Sequence, residues 1–143
     1  MIKISHEISH AWFGIMIGSL DWTEAWISEG FATFLEDIIH DEVIEVLGEK
    51  KVSDHENLRA VVKYETLCEE MENTSPDLQK LQPMRGQQLE GDDGAVYVQN
   101  GSNPVAGMTQ AHYLKGYFLL HHLMELSGSK DKFFELIRVS YQS

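Results

Sequence analysis

The sequence predicts a mainly α-helical chain. Three observations predict it. Apolar residues recur at three- and four-residue spacing in five separate stretches. Glycine, serine and proline punctuate the joints between those stretches. Only Ala95-Val96-Tyr97-Val98 has the composition of a strand, and it lies within a glycine-rich segment.

The elements follow in order. Residues 3–17 read as one helix, with Ile4, Ile8, Ala11, Trp12 and Ile15 on its apolar face, ended by Gly18-Ser19. The apolar run from Ala11 to Leu20 is too short to span a bilayer and reads as the buried continuation of this helix. Thr23 is a candidate cap for a second helix over 24–47, which Gly48 stops. Trp26, Phe31, Phe34, Leu35 and Ile38 are its expected core residues. Ser53 is a candidate cap for a third helix over 54–72, with Leu58, Val61, Val62 and Met71 on the buried face. Cys68 falls on that stripe and reads as a small core residue. Ser75-Pro76-Asp77 breaks the pattern. Residues 84–107 read as a long loop, of the kind that is often functional or mobile. A fourth helix is expected over 109–126. After Gly128, a last amphipathic helix spans Lys130 to Tyr141 with Phe133, Phe134 and Ile137 inward.

Composition narrows the function. The 143 residues are 43% hydrophobic, enough for one domain with a core, and carry a formal net charge of −12. Such a surface argues against nucleic-acid partners and against an anionic membrane. The acidic clusters Glu36-Asp37, Asp41-Glu42 and Glu69-Glu70 with Glu72 read mostly as solvated helix faces. A single cysteine allows no intrachain disulfide. With no visible signal peptide, a cytoplasmic location is expected.

The chemistry is concentrated in His6-Glu7-Ile8-Ser9-His10, an H-E-x-x-H run. On a helix, positions i and i+4 lie one above the other, so His6 and His10 can reach one metal ion. Glu7 sits about 100° round the helix, within reach of a water beside that metal. Two histidines leave a zinc site short of ligands. Glu29, in Trp26-Ile27-Ser28-Glu29-Gly30-Phe31, is the natural third and completes a His₂Glu set. The H-E-x-x-H run alone would arise in roughly 3% of shuffled chains of this composition, so the spaced Glu29 carries much of the argument.

With these residues in view the chain resembles the gluzincin metallo-aminopeptidases of the membrane alanyl aminopeptidase family. The resemblance rests on H-E-I-S-H-A-W-F-G, on E-A-W-I-S-E-G-F-A-T-F-L-E, whose Glu29 follows the H-E-x-x-H run after eighteen residues, and on His112-Tyr113-Leu114-Lys115-Gly116-Tyr117, which is similar to the family's Y-x-K-G segment. It is dense over 5–38 and 109–125. It implies that His6, His10 and Glu29 ligate one Zn²⁺ per chain and that Glu7 is the general base. It implies that the Tyr113 phenol donates to the oxyanion. Glu36 matches an acidic position seven residues after the ligand Glu. Two helical turns put it on the face of Glu29, suited to fixing a ligand histidine's tautomer. On sequence grounds a solvated helix carboxylate remains open for Glu36, and a packed core aromatic for Tyr113.

The resemblance also sets expectations for what surrounds the site. The chain is expected to be the helical part of a thermolysin-like (gluzincin) catalytic domain, residues 1–143 forming a partial domain. The family's upstream amine-binding G-x-M-E-N segment, N-terminal β domain and C-terminal helical domain lie outside this sequence. Val105 stands where basic-residue-preferring members carry an acidic residue, which speaks against a preference for N-terminal Arg. The function so implied is zinc-dependent hydrolysis of a peptide's N-terminal bond, with a peptide as substrate and the missing domains as partners. The alternative is a helical module that binds zinc or a partner and hydrolyses nothing. His6 sits in the first turn of the chain, where fraying would weaken a ligand.

Overall fold

The computed structural model describes residues 2–18, 24–48, 53–73, 79, 81 and 110–142. The Thr23 cap, the side chain of Ser53, the break at 75–77, the loop over 84–107 with its strand candidate, and Val105 lie outside what is described. Five helices appear among the described residues: α1 (Ile2–Ser9), α2 (Ala25–Val46), α3 (Ser53–Asn73), α4 (Gln110–Ser127) and α5 (Lys130–Gln142). The fold is mainly α, as expected. No described helix is long and apolar enough to cross a membrane.

Helices α2 and α4 form the central pair. Helix α1 lies against α2, and α3 and α5 lie against α4. The core is built where α2, α4 and α5 meet, from Phe34, Tyr117, Leu120 and Phe133. Phe31, Leu35 and Ile38 of α2 pack against it, as do Phe134 and Ile137 of α5. The rings of Phe34 and Phe133 meet edge to face at 5.6 Å, an arrangement aromatic quadrupoles favour. Burial of a side chain such as Phe34 stabilises by about 1.5–3 kcal/mol.

Helices α2 and α4 approach closely at a pair of glycines. A methyl group placed on Gly116 of α4 would lie 2.8 Å from Gly30 Cα and 3.1 Å from the Trp26 carbonyl oxygen. The two helices therefore touch at a point where neither tolerates a Cβ.

Three expectations are corrected. The first helix ends at Ser9, well short of residue 17. Its hydrogen bonds tighten first, with Ala11 and Trp12 donating three residues back to Ile8 and Ser9. Gly14 then takes φ +138°, a conformation open to glycine. A short bridge between Phe13 and Ile17 closes the turn. Nor is the run after Ala11 a buried continuation. Ile4, Ile8, Trp12 and Ile15 are exposed, Ile15 at 79%. What α1 buries is Ser5 and Ser9, whose small side chains let it approach α2 closely.

The second correction concerns α3. Leu58, Val61, Val62 and Cys68 are exposed, Leu58 at 59%, and Met71 is half-buried. The face turned toward α2 carries Arg59 and Lys63. The third concerns charge. Glu36, Asp37 and Asp41 are buried, not solvated, because Arg59 and Lys63 pair with them. Burial of carboxylates is tolerable only with such partners.

The glycine contact yields a test. Gly116→Ala should destabilise the protein by about 1–3 kcal/mol through overpacking. An unhindered helix-interior Gly→Ala gains about 1 kcal/mol. Thermal or urea unfolding reads the sign, and a more stable variant would mean that the helices part without cost.

Candidate metal centre

Helix α1 presents His6, His10 follows one turn later just past the end of the helix, and α2 presents Glu29 opposite them. His6 Nε2 and His10 Nε2 are 3.2 Å apart. Glu29 Oε2 lies 3.3 Å from the first and 3.5 Å from the second. The three side chains are the one group among the described residues whose ligand atoms converge in this way, all lying within 4.8 Å of one another. Zinc bonds to nitrogen and oxygen of about 2.0–2.2 Å in a tetrahedral array set ligand atoms about 3.3–3.5 Å apart. The triangle formed by these atoms has that size.

The far side of each imidazole is also held. His6 Nδ1 lies 3.1 Å from Glu36 Oε2, and His10 Nδ1 lies 3.0 Å from the carbonyl oxygen of Phe13. A carboxylate and a carbonyl can only accept, so both Nδ1 atoms donate. A ring that donates from Nδ1 and is neutral, the form that ligates a metal, carries its lone pair on Nε2, on the side of Glu29. The turn after His10 is what supplies the Phe13 carbonyl. It is pinned to α2 by the Phe13 ring, which is buried and stacks on Phe31 at 4.0 Å.

Glu36 is held from a second side. Its Oε1 lies 2.9 Å from Lys63 Nζ of α3. Burial pushes the Glu36 carboxyl up, but the His6 hydrogen bond and the Lys63 charge outweigh it, and the net shift is downward. His6 is pushed up from 6.5 to about 9, first by its bond to Glu29 and then by its bond to Glu36, with burial opposing.

Tyr113 reaches the same place from α4. Its ring lies 6.4 Å from that of His6, nearly parallel at 16°. Burial raises its phenol above the ordinary value, and the charge of Glu29 and a hydrogen bond to it add to the rise. Glu7, next in the chain to His6, carries an exposed side chain. The structure thus brings His6, His10, Glu29, Glu36 and Tyr113 together and leaves the Glu7 side chain exposed to solvent.

Two contributors were not singled out in the sequence. The Phe13 carbonyl is a backbone group and leaves no side-chain signal. Lys63 does leave one. Arg59 and Lys63 are four residues apart, as are Asp37 and Asp41, so two helices carry opposite charges at one-turn spacing.

The raised pKa of His6 makes a pH prediction for the chelator-treated protein. Stability contributed by the His6 ion pairs is fully present below pH 6.5 and is lost as pH rises through about 9. The Tm should fall across that window, and fall less in Glu36→Gln. A Tm unchanged across the window would show that these pairs add nothing to the fold.

Comparison with known proteins bears on the same residues. Residues 2–142 match the family model described as the Peptidase family M1 domain. Aminopeptidase O of Rattus norvegicus is 43% identical over 132 residues, covering 92% of this chain and 16% of that protein. Aminopeptidase O of Homo sapiens is 40% identical over the same span, with the same shares covered. Leucine aminopeptidase 2 of Emericella nidulans is 30% identical over 132 residues, covering 91% of this chain and 18% of that protein. The chain thus spans about one sixth of the length of these curated relatives. No solved structure matches it. The family match runs through every residue of the convergent site, and the chain belongs to peptidase family M1.

Proposed function

We propose that this chain carries the zinc centre of an aminopeptidase that hydrolyses the N-terminal peptide bond of its substrate. The observation that carries the reading is the triangle of His6 Nε2, His10 Nε2 and Glu29 Oε2, with both outer ring nitrogens already donating. His6, His10 and Glu29 would hold one Zn²⁺, which supplies Lewis acidity toward water and toward the scissile carbonyl. The names of the relatives, aminopeptidase O and leucine aminopeptidase 2, support the choice of bond.

The remaining steps belong to the chain's own groups. Glu36 and the Phe13 carbonyl keep the two rings in the tautomer that ligation needs. Glu7 takes one proton from the attacking water as the new C–O bond forms. It returns that proton to the amine nitrogen as the C–N bond breaks. Its exposed side chain suits a group that must meet both water and leaving group. The Tyr113 phenol stays protonated at neutral pH, since its pKa is raised. It can then donate to the oxygen on which charge develops. A reducing, cytoplasmic compartment is part of this reading, and the single, exposed Cys68 supports it.

The decisive experiment uses the protein at its full natural length. About one zinc per chain is expected after exhaustive dialysis, with loss of that zinc in His10→Ala. Glu7→Gln should keep the zinc and lower kcat on an aminoacyl anilide by about 10²–10⁴. A zinc-free wild type, or a fully active Glu7→Gln, would end the account. Tyr113→Phe should retain zinc and lower kcat by about 10²–10³ with a smaller change in KM. An unchanged kcat there would assign the phenol to packing.

A further inference from the structure

The part of the site that neither the motifs nor the family match explains is the ion network between α2 and α3. We propose that Lys63 is a positioning residue for the metal centre. From α3 it fixes the Glu36 carboxylate that holds His6, and so makes the seating of α3 a determinant of zinc affinity. The inference rests on the reading that His6 is a zinc ligand.

The geometry is a relay of two contacts. Glu36 uses one oxygen for each neighbour: Oε2 lies 3.1 Å from His6 Nδ1, and Oε1 lies 2.9 Å from Lys63 Nζ. The Glu36 side chain is 10% exposed and that of Lys63 is 15% exposed, so water competes little for either. Lys63 is itself held from two further directions. Its ammonium lies 2.8 Å from Asp37 Oδ2 and 4.5 Å from the centre of the Tyr117 ring. Burial and, after it, the nearby Asp37 charge raise the Tyr117 phenol above its ordinary value. A lysine normally keeps its charged head in water on a mobile stem. Here the head is fixed by two carboxylates and a ring face, and one of those carboxylates is the group that orients a metal ligand.

The alternative is that Lys63 only docks α3. Arg59, one turn earlier, separates the two. It bridges the same helices, with Nη2 2.7 Å from Asp41 Oδ1 and Nε 3.1 Å from Asp37 Oδ1. Docking is thus shared between Arg59 and Lys63, whereas the Lys63 contact to Glu36 leads on to His6.

The test is zinc affinity, by competition with a fluorescent chelator, in the full-length protein, with thermal melts in parallel. Lys63→Met should weaken zinc by about 10–100-fold, the range for loss of a group that orients a ligand. Lys63→Arg should recover most of that loss. Arg59→Met should lower the Tm and leave zinc affinity unchanged. In a Glu36→Gln background, Lys63→Met should have no further effect on zinc, since the relay is already cut. If Lys63→Met does not fold, Lys63→Gln is read against the same expectations. Wild-type affinity in the Lys63 variants, an equal loss in Arg59→Met, or an undiminished loss in the Glu36→Gln background would each overturn the proposal. A wild type that binds no zinc would overturn the function proposed above and this inference with it. A wild type that binds zinc beside unaffected variants overturns the inference alone.

Discussion

The structure depends on one steric constraint, the contact of Gly30 with Gly116. No other residue type permits α2 and α4 to lie this close, because a Cβ at either position would meet backbone at 2.8 Å. The residues beside the contact are those of the candidate centre. Glu29 immediately precedes Gly30, and Tyr113 stands one helical turn before Gly116. The glycines of the W-x-x-E-G and Y-x-K-G segments therefore touch each other. Their function is to set the distance at which a carboxylate from one helix and a phenol from another share a single imidazole neighbour.

Around that crossing the chain buries charge in quantity. Glu36, Asp37 and Asp41 lie on one face of α2, and α3 reaches them with Arg59 and Lys63. Paired carboxylates of this kind contribute less net stability than an apolar core of the same volume would. They do impose directions on one another. Tyr117 shows how the two regimes join. Its ring belongs to the aromatic core with Phe34 and Phe133, while the Lys63 ammonium lies 4.5 Å from the centre of that ring. One side chain thus links the packing that holds the helices to the polar layer beside the site.

The sequence made the site more legible than its surroundings. The spacing of His6 and His10 is a local property of a helix, and Glu29 is marked by its place in an aromatic block. Helix α2 was legible because Phe31, Phe34, Leu35 and Ile38 recur at helical spacing and do face the core. The same rule failed on α3 and on the outer face of α1. Apolar periodicity marks a face that something covers, and among the described residues nothing covers Leu58, Val61 and Val62, or Ile4 and Ile15. The acidic clusters were misread for a related reason. A carboxylate looks solvated in sequence unless its partner is recognised, and here the partners lie on another helix, 18 residues away for Asp41 and Arg59 and 26 for Asp37 and Lys63. The turn after His10 was hidden because the apolar pattern continues past the end of the helix at Ser9 and through Gly14 at φ +138°.

That turn makes the two histidines unequal in heredity. The orientation of His6 depends on a side chain, so a single codon change at Glu36 can remove it. The orientation of His10 depends on a main-chain carbonyl, which every amino acid possesses. Substitution of Phe13 itself leaves an acceptor of the same kind in the chain. The vulnerable position lies one residue further on. A methyl group on Gly14 would press to 3.2 Å from the His10 ring nitrogen that makes this bond, on a backbone that other residues rarely adopt. Position 13 thus keeps its acceptor whatever the side chain, provided the turn stays seated against Phe31, whereas position 14 admits no side chain without strain.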